Sequence, residues 1–253
     1  EYLYRLSFEN PGSAQQRKIA RILSATDAVI RQTEETIEKL KKIKQGMMHD
    51  LFTRGIDVKT GKLRPSQSEA PKLYKKTELG WISKEWGDGV FNDFCGGLIN
   101  GGTPSTAIKE YWSGHIPWIT GADFLDNFQI GVIRRRITQE AVSKSSTHVV
   151  PKGEILLVTR TGVGKMALAP FDIAISQDIT GMIVNKKSFD AIFLYYYLQI
   201  LVEEFKKLSQ GTSINGIIRD DLVNWPVAFP LEKGEQELIA SNLVSVDKKI
   251  DVE

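Results

Sequence analysis

The longest pattern of apolar and polar positions lies between Ser13 and Phe52. Leu23, Ile30, Ile37 and Leu51 share one heptad phase, and Ile19, Thr26, Thr33, Leu40 and Met47 stand four residues before it. This alternating three-and-four spacing predicts one long helix with a coiled-coil seam, interrupted once by Lys44. Ile22, Val29 and Ile43 widen the stripe, so the helix should touch more than a single partner. Ser13 is the expected N-cap and Gly55 lies just past the expected end. At 1.5 Å per residue, about 40 residues make a rod of roughly 60 Å. A seam formed by Ile19, Leu23, Ile30, Ile37, Leu40, Met47 and Leu51 should not stay bare in water; it needs a second helix, in cis or from another copy.

The pattern then changes. Residues 56–80 are rich in Gly, Pro, Ser and Lys and read as a linker. From Trp81 to Pro230, short apolar runs alternate with turn residues, as in Ile116 to Thr120, Glu154 to Thr159 and Gly181 to Val184. One helix is expected inside this region, from about Asp190 to Leu208, because Phe193, Leu194, Tyr197, Leu198, Leu201 and Phe205 recur at helical spacing. The region therefore reads as an α+β domain with mixed or antiparallel strands, attached to the long helix. An internal repeat links the two ends. Gln16, Ile19, Ala20, Leu23, Asp27 and Ile30 recur 220 residues later as Gln236, Ile239, Ala240, Leu243, Asp247 and Ile250. The chain runs helix, domain, start of another helix.

Composition narrows the function classes. With 33 basic and 31 acidic residues the net charge is +2, so any nucleic-acid surface must come from local clustering. The single cysteine, Cys95, makes no internal disulfide and fits a reducing compartment. No apolar run has membrane-spanning length, and Glu1 to Arg5 is not a secretory signal. The absence of an initiator Met points to a fragment or trimmed chain.

Catalytic and cofactor motifs do not survive inspection. Thr161 to Lys165 resembles part of a phosphate loop, but Thr159 and Met166 stand where Gly and Ser or Thr are needed, and Pro170 follows too soon for a helix. A Gly-rich hairpin carrying Arg160 and Lys165 is the better reading. His49, His115 and His148 have no metal-ligand spacing. Glu203, Glu204 and Lys206 fit a solvated helical face. Asn224 to Val227 lacks the second Pro and stacking aromatic of an adenine methyltransferase loop. Binding chemistry remains. Arg134, Arg135 and Arg136 form a compact basic run suited to phosphates and guanine edges. Gln177 and Asn127 suit adenine edges. The stretch with Gln210, Thr212 and Asn215, followed by Arg219, suits close approach to a backbone.

Several motifs follow one another along the chain: Gly80-Trp81-Ile82-Ser83-Lys84-Glu85-Trp86, Gly101 to Ser105, Tyr111-Trp112, Ile116 to Ile119, Gly153 to Arg160 with Gly162, Gly164-Lys165, and Ser176-Gln177-Asp178. Their order resembles the specificity subunits of type I restriction–modification systems, with Ser83 where that family usually has Pro. Lys44 to Phe52 resembles the end of the family's spacer helix, and Pro230 with Gln236 to Asp247 resembles the start of the next. The resemblance implies an organisation by segment: 1–10, the end of a preceding recognition domain; 11–55, a spacer helix; 56–80, a linker; 81–230, a target-recognition domain; 231–253, a truncated second helix in an antiparallel coiled coil. It implies a non-catalytic DNA-recognition subunit reading one half of a bipartite site. Expected partners are double-stranded DNA, methyltransferase subunits that hold S-adenosylmethionine, a motor-nuclease restriction subunit, and a second recognition half in cis or as a homodimer. This chain itself should need no cofactor. The expected location is the cytoplasm of a bacterium or archaeon. A stand-alone dimeric DNA-binding protein and a coiled-coil adaptor are the competing readings.

Overall fold

The computed structural model describes residues 11–125, 129–160, 164–209 and 223–252. It divides into two units: one holds the chain up to Met47 and from Val244 onward, the other runs from Met48 to Leu243. Among the described residues, no helix is long and apolar enough to cross a membrane.

The first unit is built from the greater part of α1 (Ser13–Thr53) and the last turns of α4 (Lys233–Val252). The 41 residues of α1 run without a break, as the absence of Pro allows. The helix starts one residue earlier than expected: Ser13 is already helical, and Gly12 takes the cap position, its carbonyl accepting from the Gln16 N–H. Gly12 N–H donates to the Gln15 side chain at 3.2 Å. The seam is unevenly covered. Ile19, Leu23 and Ile30 are exposed, Ile37, Leu40 and Met47 are half-buried, and Leu51 is buried. Lys44, the residue that breaks the heptad phase, forms an ion pair with Asp247 of α4 at 2.7 Å.

The second unit is mixed helix and sheet. Its strands are β1 (Ile56–Asp57), β2 (Lys62–Leu63), β3 (Tyr74–Thr77), β4 (Gly80–Ser83), β5 (Trp86–Val90), β6 (Cys95–Asn100), β7 (Ile116–Ile119), β8 (Arg135–Ile137), β9 (His148–Val150), β10 (Ile155–Val158), β11 (Met166–Leu168), β12 (Ile173–Ile175), β13 (Ile179–Val184) and β14 (Pro226–Pro230). Among the described residues, the helices α2 (Gln139–Lys144) and α3 (Ala191–Ser209) lie within it. One four-stranded sheet has the order β11-β10-β13-β6 and is antiparallel. The other has the order β8-β7-β12-β9, with β12 parallel to β7 and the remaining pairs antiparallel.

The interior strands β10 and β12 are apolar at every position because both of their faces are covered. Leu156, Val158, Ala167 and Ile179 of the first sheet share one core with Ile119, Val150, Ile173 and Ile175 of the second. The other face of the second sheet buries Trp118, Ile137 and Ala174 against Ala141 of α2. Asp190 caps α3, its carboxylate accepting from the Phe193 N–H at 2.8 Å. Phe193, Leu194, Tyr197, Leu198 and Leu201 of α3 are buried. Phe52, in the last turns of α1, lies 5.3 Å from both the Phe193 and Tyr197 rings.

Residues 56–80 are not a bare connector. They carry the antiparallel pair β1–β2 and, through Gly80, most of the β3–β4 hairpin. The polar composition is that of short, mostly solvated strands rather than of an unstructured segment. Buried Tyr74 ties the piece together internally by donating from its hydroxyl to the Pro65 carbonyl at 2.6 Å.

Candidate nucleic-acid interface

Strand polarity gathers five of the six predicted binding residues that are described at one end of the two sheets. In the first sheet, the end of β10 lies beside the starts of β11 and β13, and the start of β13 lies beside the end of β6. In the second, the end of β12 lies beside the end of β7 and the start of β9, and the end of β7 lies beside the start of β8. Residues 176–178 lead from the end of β12 to the start of β13, so both sheets share this end. The connecting segments there carry Thr103, Asp123, Arg134, Arg160, Lys165 and Gln177, and Arg135 is the first residue of β8.

Asp123 organises the basic residues. It is buried, and its carboxylate accepts from Arg134 through Nε at 3.1 Å and Nη2 at 2.6 Å, both on Oδ1. Arg135 Nη2 donates to Oδ2 at 2.8 Å and to the Thr120 hydroxyl at 3.1 Å. The Thr120 N–H and hydroxyl also donate to Oδ2. Burial works against ionisation of Asp123, but the Arg134 hydrogen bond, the two bonds from Thr120 and the Arg135 charge outweigh it and hold the carboxyl below its usual range. The Arg135 guanidinium lies over the Trp118 ring, 4.7 Å from its centroid.

The run of three arginines does not lie on one face. Alternation along β8 sends Arg136 to the opposite face from Arg135 and Ile137, and its Nη1 donates to the His115 carbonyl at 2.8 Å. Lys165 Nζ donates to the Phe124 carbonyl at 3.3 Å, tying the start of β11 to the loop after β7. Arg160 is exposed and makes no ion pair among the described residues. Gln177 is exposed and accepts at Oε1 from the Thr103 hydroxyl, which turns its amide N–H groups away from Thr103. Gly101 and Gly102 let the chain pass close by: a Cβ on Gly101 would collide with the Ser176 carbonyl, and one on Gly102 with Ser146. Asn127, Gln210, Thr212, Asn215 and Arg219 lie outside the described residues.

Sequence reasoning missed Asp123, Thr103 and Thr120. Thr103 sits in the Gly101 to Ser105 motif; an isolated Asp between apolar residues carries no signal of its own. Among the described residues this end of the sheets offers hydrogen-bond donors. Burial pushes the Cys95 thiol up to about 12, far from a nucleophile's range. Among the described residues no cluster of His, Cys, Asp and Glu is fit to hold a metal ion.

A second charged cluster lies elsewhere in the same unit. Buried Glu235, in the first turn of α4, accepts from both terminal nitrogens of buried Arg64, from Trp86 Nε1 at 3.0 Å and from the Ile56 N–H at 3.0 Å. Arg64 also pairs with Glu85. Burial lowers the Arg64 pKa, but Glu235 and then Glu85 reverse that and raise it. Gly55, at φ 71°, packs so tightly here that a Cβ would strike Glu235, Arg64 and Trp86. Next to this cluster is a cleft of about 520 Å³ lined by Lys62, Lys72 and Lys84 as well as Asp57 and Glu85.

The type I restriction modification DNA specificity domain matches residues 83–253. The chain belongs to this family. The specificity-domain match begins at Ser83 and takes in every strand from β5 onward, both four-stranded sheets and α4. The chain is 34% identical over 182 residues to the type I restriction enzyme MjaIX specificity subunit of Methanocaldococcus jannaschii, covering 70% of this chain and 41% of that protein. It is 29% identical over 253 residues to the putative MjaX specificity subunit of the same organism, covering 99% and 54%. The chain thus spans about half the length of these relatives. The fold matches the HsdS subunit of Thermoanaerobacter tengcongensis with a TM-score of 0.60 at 18% identity, over 93% of this chain and 50% of that one. It matches the type I S subunit of M. genitalium with a TM-score of 0.60 at 13% identity, over 95% and 56%.

Proposed function

We propose that this specificity domain reads one half of a bipartite DNA site for a type I restriction–modification complex, and that the shared end of the two sheets is its reading surface. The observation that carries this is convergence. Strand polarity alone places Arg134, Arg135, Arg160, Lys165 and Gln177 at one end, with donors suited to phosphates and base edges. Gln210, Thr212, Asn215 and Arg219 belong to the same proposal. In this reading the chain is non-catalytic. Methyltransferase subunits dock on it and bring S-adenosylmethionine, and a motor-nuclease subunit joins for cleavage, in the cytoplasm of a bacterium or archaeon.

The helices serve as the spacer, with α1 and α4 pairing as an antiparallel coiled coil. The internal repeat supports a second recognition half. Ile239, Ala240 and Leu243 of α4 are buried, whereas their counterparts Ile19, Ala20 and Leu23 of α1 are exposed. An equivalent domain, in cis ahead of Pro11 or from a second copy, would cover them. Residues 1–10 would be its end, with 11–55 and 231–253 as spacer segments and 81–230 as the recognition domain.

The test is binding to a random-sequence duplex pool, with and without the methyltransferase subunit, followed by sequencing of the bound DNA. Enrichment of a short half-site that strengthens with the methyltransferase subunit supports the proposal. Nanomolar selective binding that owes nothing to that subunit favours a stand-alone dimeric DNA-binding protein. No enrichment in either condition, with both proteins folded, favours a coiled-coil adaptor.

A further inference from the structure

We infer that Arg134 is a base-reading side chain that selects guanine, and that Asp123 is its positioning residue; the inference rests on the DNA-reading role proposed above. Arg134 is 61% exposed although its anchor, Asp123, is 1% exposed. A surface arginine is thus fastened through its guanidinium to a buried carboxylate. Both anchoring bonds use Nε and Nη2, and both end on Oδ1. The bonds fix the guanidinium plane and occupy one edge of the fork. They leave Nη1 and the second Nη2 hydrogen on the outward edge, and these are the donors that pair with O6 and N7 of guanine in the major groove. Adenine presents an amino donor where guanine has O6, so the same edge meets it donor to donor.

Arg135 does not share this role. Its Nη2 is divided between Asp123 and Thr120, and its face lies over Trp118. It closes the other side of the carboxylate, so that Asp123 Oδ2 is filled and Oδ1 remains for Arg134. Holding Arg134 ready also lowers the rotamer entropy lost when it meets a base. Arg136, aimed at the His115 carbonyl, takes no part.

The experiment sequences random duplexes bound by the chain with its methyltransferase subunit, for the unaltered protein, Arg134→Lys, Asp123→Asn and Arg136→Ala. The expected wild-type half-site contains a guanine. Arg134→Lys, which keeps the charge but not the fork, should weaken the preference at that one position about tenfold and leave the others. Asp123→Asn should relax the same position, whereas a merely structural role would lower enrichment at all positions together. Arg136→Ala should leave the half-site unchanged. A half-site without guanine, or a guanine preference that Arg134→Lys does not alter, overturns the inference and leaves the DNA-reading role standing. Absence of any half-site with the unaltered protein overturns both.

Discussion

Two arginine–carboxylate clusters sit in the same unit and use the same chemistry to opposite ends. Around Glu235 both partners are buried, Arg64 at 6% and Glu235 at 2% exposure. Around Asp123 only the carboxylate is buried, and Arg134 reaches solvent. A cluster in which the cation is buried with its carboxylate joins pieces of chain: Glu235 holds together the β1–β2 segment next to Arg64, the start of β5 and the first turn of α4. A cluster closed on one side presents a cation in a fixed direction. Burial of the cation, more than the presence of the pair, separates the structural joint from the proposed binding group.

Substitutions should break this comparison in a graded order. The largest effect is expected for Glu235→Ala, which leaves Arg64 charged and buried without its main partner; such losses cost about 3–5 kcal/mol. Denaturant unfolding would measure it, with DNA selectivity in the surviving folded fraction unaltered. Asp123→Asn should cost about 1–3 kcal/mol, because buried bonds to Thr120 and Arg135 weaken, and should also alter selectivity. Gly55→Ala should lose at least about 1–2 kcal/mol from its left-handed backbone alone, with a further loss from contact with Glu235.

Acid titration sharpens the contrast. The Asp123 carboxyl is held below its usual range, so the native protein binds that proton less readily than the unfolded chain. Its contribution to stability is therefore complete above about pH 4 and is lost as the pH falls through the native value. Unfolding curves collected from neutral to acidic pH should show a shallower acid limb in Asp123→Asn. Arg134→Ala removes the partners of Oδ1 on buried Asp123 but opens that oxygen to water, so the loss should fall at the low end, about 1 kcal/mol, while the base preference should disappear.

How much of this was legible in the sequence depends on the length of the signal. Helix α1 was readable because its apolar spacing persists over many turns, and Gly55 marked its end. α3 was readable from its aromatic residues at helical spacing. β10 and β12 are continuous apolar runs, and the Glu154 to Thr159 run was recognised. The hairpins within 56–80 were not, because strands of two to four residues rich in Lys and Thr have no periodicity to detect. The arginine run was found as a patch, but its division needed the structure. A period of two separates Arg136 from Arg135, and only tertiary contact brings Asp123 beneath Arg134 and Arg135. Lys165 and Gln177 lie 12 residues apart in sequence, and only strand pairing shows that they share an end.

The most direct test of that shared end compares two charge reversals of equal size. Arg160→Glu alters the proposed reading end, at the close of β10, and Lys152→Glu alters the opposite end, just before β10 begins. Each changes the net charge by the same amount, so long-range electrostatics is matched. DNA affinity would be measured for both in the presence of the methyltransferase subunit, at fixed salt. Several-fold weaker binding for Arg160→Glu with little change for Lys152→Glu is the predicted result. Equal losses from the two, or a larger loss from Lys152→Glu, would contradict the assignment of DNA reading to this end of the sheets.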